Sequence, residues 1–348
     1  MKILLVKLSS LGDVVHALPV VQDIRAALPG AQVDWVVEKP FASLLARCPG
    51  LHRVIPCEIR RWRRSPLAAV TRGEWTAFKA LLRQESYDAV IDLQGLTKSA
   101  LVARLARLSP QGQRYALANQ TEGSGYEAPT RWLADVAIRI APHTPAVQRC
   151  RELAAQALGY PLNSAPDFGL KNGLSQFERV QAAPENIANT VAFAHGSSRV
   201  DKEWPLAHWV ELGQRLMAAG YAIALVHGSA KELATSQAIA QALTVHPKPE
   251  SLSQAPVIWP LLALNQLVDE LAHCAGVIGV DSGVSHIAVA LDLPHVQIYN
   301  FDTAWRTGPD VSARQQRSVF AQPTPGVEAV WHAWLGCSRG LGTAMASE

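Results

Sequence analysis

Residues 2–19 read KILLVKLSSLGDVVHALP: an aliphatic run, then a polar turn, then apolar residues at helical spacing. This order predicts a buried strand, a loop and a helix. The same unit recurs at residues 31–38 and 87–95, and again from residue 189 onwards. Because strands that alternate with helices indicate parallel sheets with right-handed crossovers, the chain is predicted to have an α/β fold.

Two such series predict two domains. The length of 348 residues suits two domains, and a loop rich in Pro, Asn, Ser and Gly runs from about residue 161 to 186 between the series. We predict two Rossmann-like doubly wound domains at residues 1–170 and 171–325, followed by a C-terminal helix and tail at 326–348. A ligand cleft is expected between the carboxyl ends of the strands of the two domains.

Composition excludes several classes of protein. With 49% hydrophobic and 18% charged residues, the chain is neither disordered nor a small disulfide scaffold. Charged residues or prolines interrupt every apolar run, and Lys7 and Asp13 break the N-terminal one, so we expect a cytosolic chain without a membrane span or signal peptide. The five cysteines form no CxxC pair, which argues for reduced thiols and against a zinc site.

A basic cluster lies between residues 53 and 72. Four of its arginines flank Trp62, with Glu58 as the single acid; they are Arg60, Arg61, Arg63 and Arg64. Such a cluster would attract a phosphorylated or anionic-lipid partner, and Trp62 is suited to a membrane interface. Nucleic acid is disfavoured, because the net charge is only +3 and no nucleic-acid-binding motif accompanies the cluster. The alternative is a solvated surface loop.

Gly12 and Asp13 follow the first predicted strand, where open α/β sheets bind ligands. The loop lacks GxGxxG and is therefore not a dinucleotide fingerprint. Two interpretations of Asp13 remain open. It is either the N-cap of a helix that begins near Val14, or a carboxylate that faces the cleft and is available as a general base.

A second motif, AHGSSRVDKEWP, covers residues 194–205. Gly196, Ser197 and Ser198 can present N–H and O–H donors to a phosphate, and Lys202 adds a positive charge. A solvated polar loop is the alternative. Glu232, in VHGSAKE after the next strand, suits either ribose hydroxyls or the dipole of the helix that it begins.

The third motif is VIGVDSGVSHIAVAL, residues 277–291. A buried strand runs into Asp281, Ser282 and Gly283, and then into a helix whose first turn contains Ser285 and His286. The free N–H groups of a helix start bind phosphate. Alternatively, Asp281 is an ordinary helix cap and His286 faces the core.

In this order, KLSSLGDVVHALP, IRRWRR, DLQGLTKSA, HGSSRVDKEWP, GSAKE and DSGVSHIAVAL resemble the ADP-heptose-dependent lipopolysaccharide heptosyltransferases, which are GT-B enzymes of glycosyltransferase family 9. The resemblance covers nearly the whole chain, and IRRWRR and QGLTKSA favour the first heptosyltransferase over the second. It implies transfer of L-glycero-D-manno-heptose, with inversion, from ADP-L-glycero-β-D-manno-heptose to the 5-hydroxyl of the inner Kdo of Kdo2-lipid A. It also implies a peripheral location on the anionic cytoplasmic face of the inner membrane, with no cofactor or metal.

The resemblance also assigns residue roles. Asp13 would be the base, and Lys202 would neutralise the departing diphosphate. The implied donor-binding residues are Ser197, Ser198, Lys202, Glu232, Asp281, Ser282, Gly283 and His286. The implied acceptor-binding residues are Ser10, Gly12, Arg60, Arg61, Arg63, Arg64 and Lys98.

The chain departs from the family pattern at Tyr126 and Glu127, which stand where an acceptor-contacting Arg-Glu pair is common. Two alternative functions also stay open. One is a heptosyltransferase that acts on heptosyl-Kdo2-lipid A or another core sugar. The other is a non-catalytic nucleotide-binding protein of the membrane surface.

Overall fold

The computed structural model describes residues 1–65, 73–171, 189–245 and 255–342, with only the backbone at 245 and 339–342. The chain divides into two compact units, Met1–Gly173 and Leu174–Glu348. Arg72 and residues 172–186 of the predicted inter-domain loop lie outside the described residues.

The first unit contains a six-stranded parallel sheet with helices between the strands. Its strands are β1 (Lys2–Val6), β2 (Gln32–Glu38), β3 (Leu51–Cys57), β4 (Ser86–Asp92), β5 (Arg107–Leu117) and β6 (Val136–Ile138). Its helices are α1 (Leu11–Ala17), α2 (Pro19–Ala27), α3 (Ala42–Leu45), α4 (Ile59–Arg64), α5 (Glu74–Leu82), α6 (Thr97–Leu105), α7 (Thr130–Leu133) and α8 (Ala146–Leu158). The spatial order of the strands is β3-β2-β1-β4-β5-β6.

The second unit repeats this arrangement. Its strands are β7 (Thr190–Ala194), β8 (Ala222–Leu225), β9 (Val257–Ile258), β10 (Gly276–Val280), β11 (His295–Tyr299) and β12 (Gln316–Phe320). Its helices are α9 (Leu206–Ala218), α10 (Ala230–Val245), α11 (Leu264–Ala272), α12 (Gly283–Ala290), α13 (Ala304–Thr307) and α14 (Val327–Gly342). The spatial order is β12-β11-β10-β7-β8-β9.

Both sheets therefore have the same topology, in which the first strand of each unit pairs with the fourth. β1 pairs with β4 in parallel, and β7 pairs with β10 in parallel. Helices that leave these neighbouring strands pass to opposite sides of the sheet, which opens a crevice at the carboxyl ends of the strands. The predicted fold class, α/β with two Rossmann-like doubly wound domains of the GT-B type, is confirmed.

Each sheet is covered by apolar side chains from its own helices. In the first unit, Leu4 and Val6 of β1 are fully buried in a cluster that also contains Phe78 of α5. In the second, Trp334 of α14 is fully buried against β11 and β12. A Cβ atom on Gly276 would lie 2.8 Å from the Trp334 ring, so a glycine is required for this close packing. The C-terminal helix therefore belongs to the second unit.

Five of the observed strands were not predicted: β3, β5, β6, β9 and β12. β3 and β12 are edge strands, and Pro56 in β3 is tolerated because an edge strand has fewer ladder bonds to make. β5 contains Pro110 and Gly112 and is largely polar, so it lacks the aliphatic signal of β1 and β10. The buried central strands were recognisable from their composition, whereas the outer strands were not.

All five cysteines are buried and unpaired. Burial raises the pKa of the Cys48 and Cys57 thiols to about 12 and that of Cys337 to about 11. Every helix within the described parts of the chain is too short or too polar to cross a lipid bilayer.

Candidate active site

The loop that leaves β1 contains Asp13. Ser10 is the N-cap of α1, and Asp13 lies in its first turn. The Asp13 Oδ2 atom accepts hydrogen bonds from the Ser10 N–H at 2.8 Å and the Ser10 hydroxyl at 2.9 Å. The interpretation of Asp13 as the N-cap of a helix that begins near Val14 is therefore wrong. An acid at the third helical position reaches back to the N–H of the cap residue, which moves the helix start to Leu11.

The Asp13 carboxylate is both charged and accessible. Its side chain is 39% exposed, and its Oδ1 atom lies 3.7 Å from the ammonium of Lys7. Desolvation by the surrounding protein raises the pKa of Asp13, but Lys7 and the Ser10 hydrogen bonds lower it by more, so the net pKa lies below its ordinary value. Asp13 is therefore ionised at neutral pH.

The loop after β4 is tied to the loop after β1. Asp92, the last residue of β4, accepts hydrogen bonds from the Gln94 N–H and the Ser99 hydroxyl, both at 2.9 Å. Gln94 in turn accepts the N–H of Leu8 at 2.7 Å. Burial raises the pKa of Asp92 to about 6. These bonds fix the carboxyl ends of the neighbouring strands β1 and β4 relative to each other.

Residues 59–64 of the basic cluster form helix α4 and not a solvated loop. Trp62 is 8% exposed; its ring centroid lies 5.6 Å from Trp75 and 5.4 Å from Phe78. Its indole N–H donates to Glu74 at 2.8 Å. The suggestion that Trp62 rests at a membrane interface is therefore wrong, because Trp62 and Ile59 form the core-facing side of the helix.

The four arginines of α4 are not equivalent. Arg61 forms a bidentate ion pair with Glu58 and a second bond to Glu74. Arg60 and Arg63 instead act on Lys98 of α6: desolvation, Arg60 and Arg63 together lower the pKa of the Lys98 ammonium. Arg64 is exposed.

Lys98 links this cation cluster to the loop that carries Asp13. Its ammonium donates to the Ser9 hydroxyl at 3.2 Å. Glu38 accepts the Arg60 N–H at 3.1 Å and raises the pKa of Lys98, so it offsets part of the repulsion among Arg60, Arg63 and Lys98. An anion bound among these cations would offset the rest. The structure thus brings together Asp13, Lys98 and two of the four predicted arginines. Arg61 is committed to acidic partners within the protein.

In the second unit, Lys202 ends a 3-10 turn (Val200–Lys202) that follows β7. Its ammonium lies 2.5 Å from Asp281 Oδ2, and His286 Nε2 lies 3.3 Å from Asp281 Oδ1. Burial raises the pKa of Asp281, but His286 and Lys202 lower it by more, so the net pKa falls below its ordinary value. Lys202 therefore belongs to a partly buried cluster and not to a solvated loop.

Ser282, and not Asp281, is the N-cap of α12, because its hydroxyl accepts the Ser285 N–H at 3.4 Å. The interpretation of Asp281 as an ordinary cap is therefore wrong. Gly283 is the first helical residue, and the N–H groups of Gly283 and Val284 come before the first backbone hydrogen bond of the helix, which runs from His286 to Ser282. Lys202 and a helix start thus lie at the same edge of the second sheet, as phosphate binding requires.

Glu232 lies at the same sheet edge. It accepts the Gly228 N–H at 2.6 Å, and a Cβ atom on Gly196 would lie 2.5 Å from its carboxyl carbon. The Glu232 side chain therefore crosses directly over Gly196. Ser197 accepts the Arg199 N–H at 3.4 Å, and Ser198 is exposed in the same loop.

Sequence reasoning missed two polar residues that support the site. Lys7 follows β1 and is 1% exposed. Asn300 follows β11; its amide donates to the carbonyls of Asp201 at 2.9 Å and Glu203 at 3.0 Å, on either side of Lys202. The available signal was a polar residue directly after a buried parallel strand. Within the described residues, no group of three or more His, Cys, Asp or Glu side chains could hold a metal ion.

The chain matches the family model of glycosyltransferase family 9 (heptosyltransferase) over residues 75–328. It is 38% identical over 307 residues to lipopolysaccharide heptosyltransferase 1 of Pseudomonas aeruginosa, covering 86% of this chain and 78% of the relative. Identity to lipopolysaccharide heptosyltransferase 2 of Escherichia coli is 28%, over 86% of this chain and 82% of the relative.

Solved structures give the same result. The chain is similar to the E. coli heptosyltransferase WaaC with ADP, with a TM-score of 0.81 and 31% identity. For the same enzyme with ADP-2-deoxy-2-fluoro heptose, the TM-score is 0.78 and the identity 32%. Both matches cover 95% of this chain and 98% of the other. From these matches, and from strand ends that carry an accessible carboxylate in one unit and a lysine beside a helix start in the other, it follows that the chain belongs to glycosyltransferase family 9, the heptosyltransferases.

Proposed function

We propose that this chain transfers L-glycero-D-manno-heptose from ADP-L-glycero-β-D-manno-heptose to the 5-hydroxyl of the inner Kdo of Kdo2-lipid A, with inversion. The observation that carries the proposal is the accessible, ionised Asp13 carboxylate. The same loop contains Ser9, whose hydroxyl accepts a hydrogen bond from Lys98 of the cation cluster. The higher identity to heptosyltransferase 1 than to heptosyltransferase 2 supports this choice of acceptor.

Asp13 acts as the base in this scheme. The acceptor oxygen attacks the anomeric carbon of the heptose from the face opposite ADP, the bond to ADP breaks, and the hydroxyl proton moves to Asp13. A low pKa in the resting protein is compatible with this role. The hydroxyl becomes strongly acidic as its oxygen bonds to carbon, so a weak base suffices when the proton moves late.

The donor side of the reaction uses the second unit. Lys202, His286 and the start of α12 with Ser282 and Gly283 stabilise the negative charge that grows on ADP as the glycosidic bond breaks. Ser197 and Ser198 add hydroxyl donors to the diphosphate. Glu232 binds the ribose hydroxyls, and Asp281 acts through Lys202.

The acceptor side uses the cation cluster of the first unit. Arg60 and Arg63 are suited to the planar carboxylates of Kdo and to the phosphates of lipid A, which guanidinium groups bind in bidentate fashion. Because the acceptor is a lipid, the protein is proposed to act as a peripheral protein on the anionic cytoplasmic face of the inner membrane.

The decisive experiment measures ADP release from the ADP-heptose donor, with and without deacylated Kdo2-lipid A, for wild type and Asp13→Asn. Acceptor-dependent ADP release by wild type, and none by Asp13→Asn, supports both the proposed reaction and the role of Asp13 as its base. Release only with an acceptor that already carries one heptose assigns the chain to the second transferase. ADP binding without release from any acceptor indicates a non-catalytic nucleotide-binding protein.

Membrane contact is tested separately by flotation with vesicles. Binding to vesicles that contain anionic lipid, its loss at high salt, and no binding to neutral vesicles are expected. Equal binding to both kinds of vesicle would contradict an electrostatic contact.

A further inference from the structure

Lys7 is a buried lysine that the scheme above does not use. It follows β1, and its side chain is 1% exposed. A buried ammonium is costly unless it is hydrogen-bonded or paired with opposite charge. Its position is therefore informative about what it touches.

The Lys7 ammonium donates a hydrogen bond to the carbonyl of Leu93 at 3.0 Å and lies 3.7 Å from Asp13 Oδ1; its charge also lowers the pKa of Asp92. The Leu93 carbonyl follows β4, the sheet neighbour of β1. The Leu93 carbonyl is a rigid backbone acceptor and therefore fixes the Lys7 ammonium between the carboxyl ends of β1 and β4. Asp13, in contrast, is partly open to solvent and accepts two hydrogen bonds from Ser10 on its other side.

The other charged groups around Asp13 leave Lys7 as its principal counter-charge. His16 lies on α1 itself and makes a smaller electrostatic contribution to Asp13. Lys98 of α6 is bonded to the Ser9 hydroxyl. Asp92 of β4 feels the Lys7 charge but is bonded to neighbouring N–H and hydroxyl groups.

Helix α8 packs against α1, and its two buried arginines are engaged elsewhere. Arg149 donates to Thr121 at 2.9 Å, and Arg151 forms a bidentate pair with Asp23 at 2.7 and 2.9 Å.

We infer that Lys7 is a positioning residue for the transfer step: its buried ammonium keeps the Asp13 carboxylate ionised and fixed at the start of α1. The inference rests on the proposed function, in which Asp13 is the base. Lys7 does not touch the substrate in this scheme, and it accepts no proton. By keeping Asp13 ionised, Lys7 prevents a solvent proton from occupying the carboxylate before the acceptor hydroxyl transfers its own proton.

Three variants separate charge from hydrogen bonding and from general effects on the strand. Lys7→Met removes both the charge and the bond to Leu93, whereas Lys7→Gln removes the charge and keeps an N–H donor. Lys2→Met is the matched control, because Lys2 lies at the other end of β1 and pairs with Glu85 at the surface.

The first readout does not need activity. Aspartate labelled at the carboxyl carbon gives one resonance for Asp13, identified by its loss in Asp13→Asn. In wild type and Lys2→Met this resonance is expected to stay at its ionised position down to about pH 4.5. In Lys7→Met and Lys7→Gln it is expected to titrate at a pH about one to three units higher than in wild type. An unchanged resonance in both Lys7 variants, or an equal shift in Lys2→Met, overturns the inference.

The second readout is the pH dependence of kcat/KM. Wild type is expected to show no acid limb above about pH 5, and the Lys7 variants an acid limb moved upwards by about one unit or more, with kcat at neutral pH lowered about tenfold by the looser carboxylate. If wild type transfers no heptose, the proposed function fails while the resonance still tests Lys7. If wild type is active and the pH profile of both variants is unmoved, the inference about Lys7 fails alone.

Discussion

The ammonium of Lys202 lies 2.5 Å from the carboxylate of Asp281, although 79 residues separate them in sequence. Lys202 follows β7 and Asp281 follows β10, and these two strands are parallel neighbours. Their carboxyl ends therefore meet at one sheet edge, next to the start of α12. The ion pair keeps the Lys202 side chain beside the start of α12 and prevents it from turning into the solvent.

Replacing Asp281 with Asn is expected to reduce kcat about tenfold, because Lys202 loses its anchor while the phosphate-binding N–H groups remain. The change is also expected to lower the free energy of unfolding by about 1 to 3 kcal/mol, which is less than for a fully buried pair because Lys202 is 20% exposed. Steady-state kinetics and thermal melting measure the two effects.

The stability effect has a defined pH dependence. The pKa of Asp281 is lowered in the folded protein, so its ionised form contributes stability above about pH 4, and that contribution is lost as the pH falls through the folded pKa. The melting difference between wild type and Asp281→Asn should therefore shrink as the pH falls below about 4. Asp201→Asn, which breaks an exposed pair with Arg199, is the control and should have little effect. A difference that grows in acid would contradict the assignment.

Asp13→Asn and Asp13→Ala are expected to differ in their free energies of unfolding but not in their catalytic activities. Asn keeps an oxygen that can accept the Ser10 N–H, whereas Ala removes this contact and should destabilise the first unit by about 0.5 to 2 kcal/mol. Both variants should lose turnover and retain ADP binding, as measured by calorimetry with ADP. Full turnover in Asp13→Asn would exclude Asp13 as the base.

Gly196→Ala is expected to raise the KM for ADP-heptose severalfold with little loss of stability. The new methyl group would occupy the place of the Glu232 side chain, which is flexible enough to move away from the ribose position. Gly228→Ala is the matched control, because its Cβ would meet Glu232 only at 3.5 Å, an ordinary contact. Equal effects of the two substitutions would show that Glu232 does not contact the donor.

Arg63→Gln is expected to raise the KM for the acceptor about tenfold and to weaken its salt dependence, because Arg63 lies close enough to Lys98 to lower its pKa and is proposed to bind the acceptor anion with it. Arg61→Gln should change the acceptor KM much less, since Arg61 is paired with Glu58 and Glu74. Initial rates at several acceptor and salt concentrations distinguish them. Similar KM changes in both variants would mean that the basic segment acts through its total charge.

The central strands and the polar loops that follow them were predictable, because β1, β7 and β10 are short buried runs, each followed within three residues by a serine, a glycine or an aspartate. The outer strands were not, since β5 and β12 mix polar with apolar residues and gain their strand pairing from neighbours distant in sequence. Local composition does not contain that information.

The site shows the same division. The sequence places Lys202 in a polar loop, but its partner Asp281 is brought to it only by the pairing of β7 with β10. Likewise, four arginines in six residues look alike in sequence. Their different surroundings depend on Glu74, which lies on the next described helix, and on Lys98 of α6.

The burial of all five thiols makes the native chain a ready background for site-specific labelling. Burial raises the pKa of Cys48 and Cys57 to about 12, so almost no thiolate is present there at neutral pH to react with a maleimide. A single cysteine introduced at exposed Arg64 would then carry a fluorophore or spin label alone, without first replacing native cysteines in the core. A probe attached there would report acceptor binding directly from the basic helix.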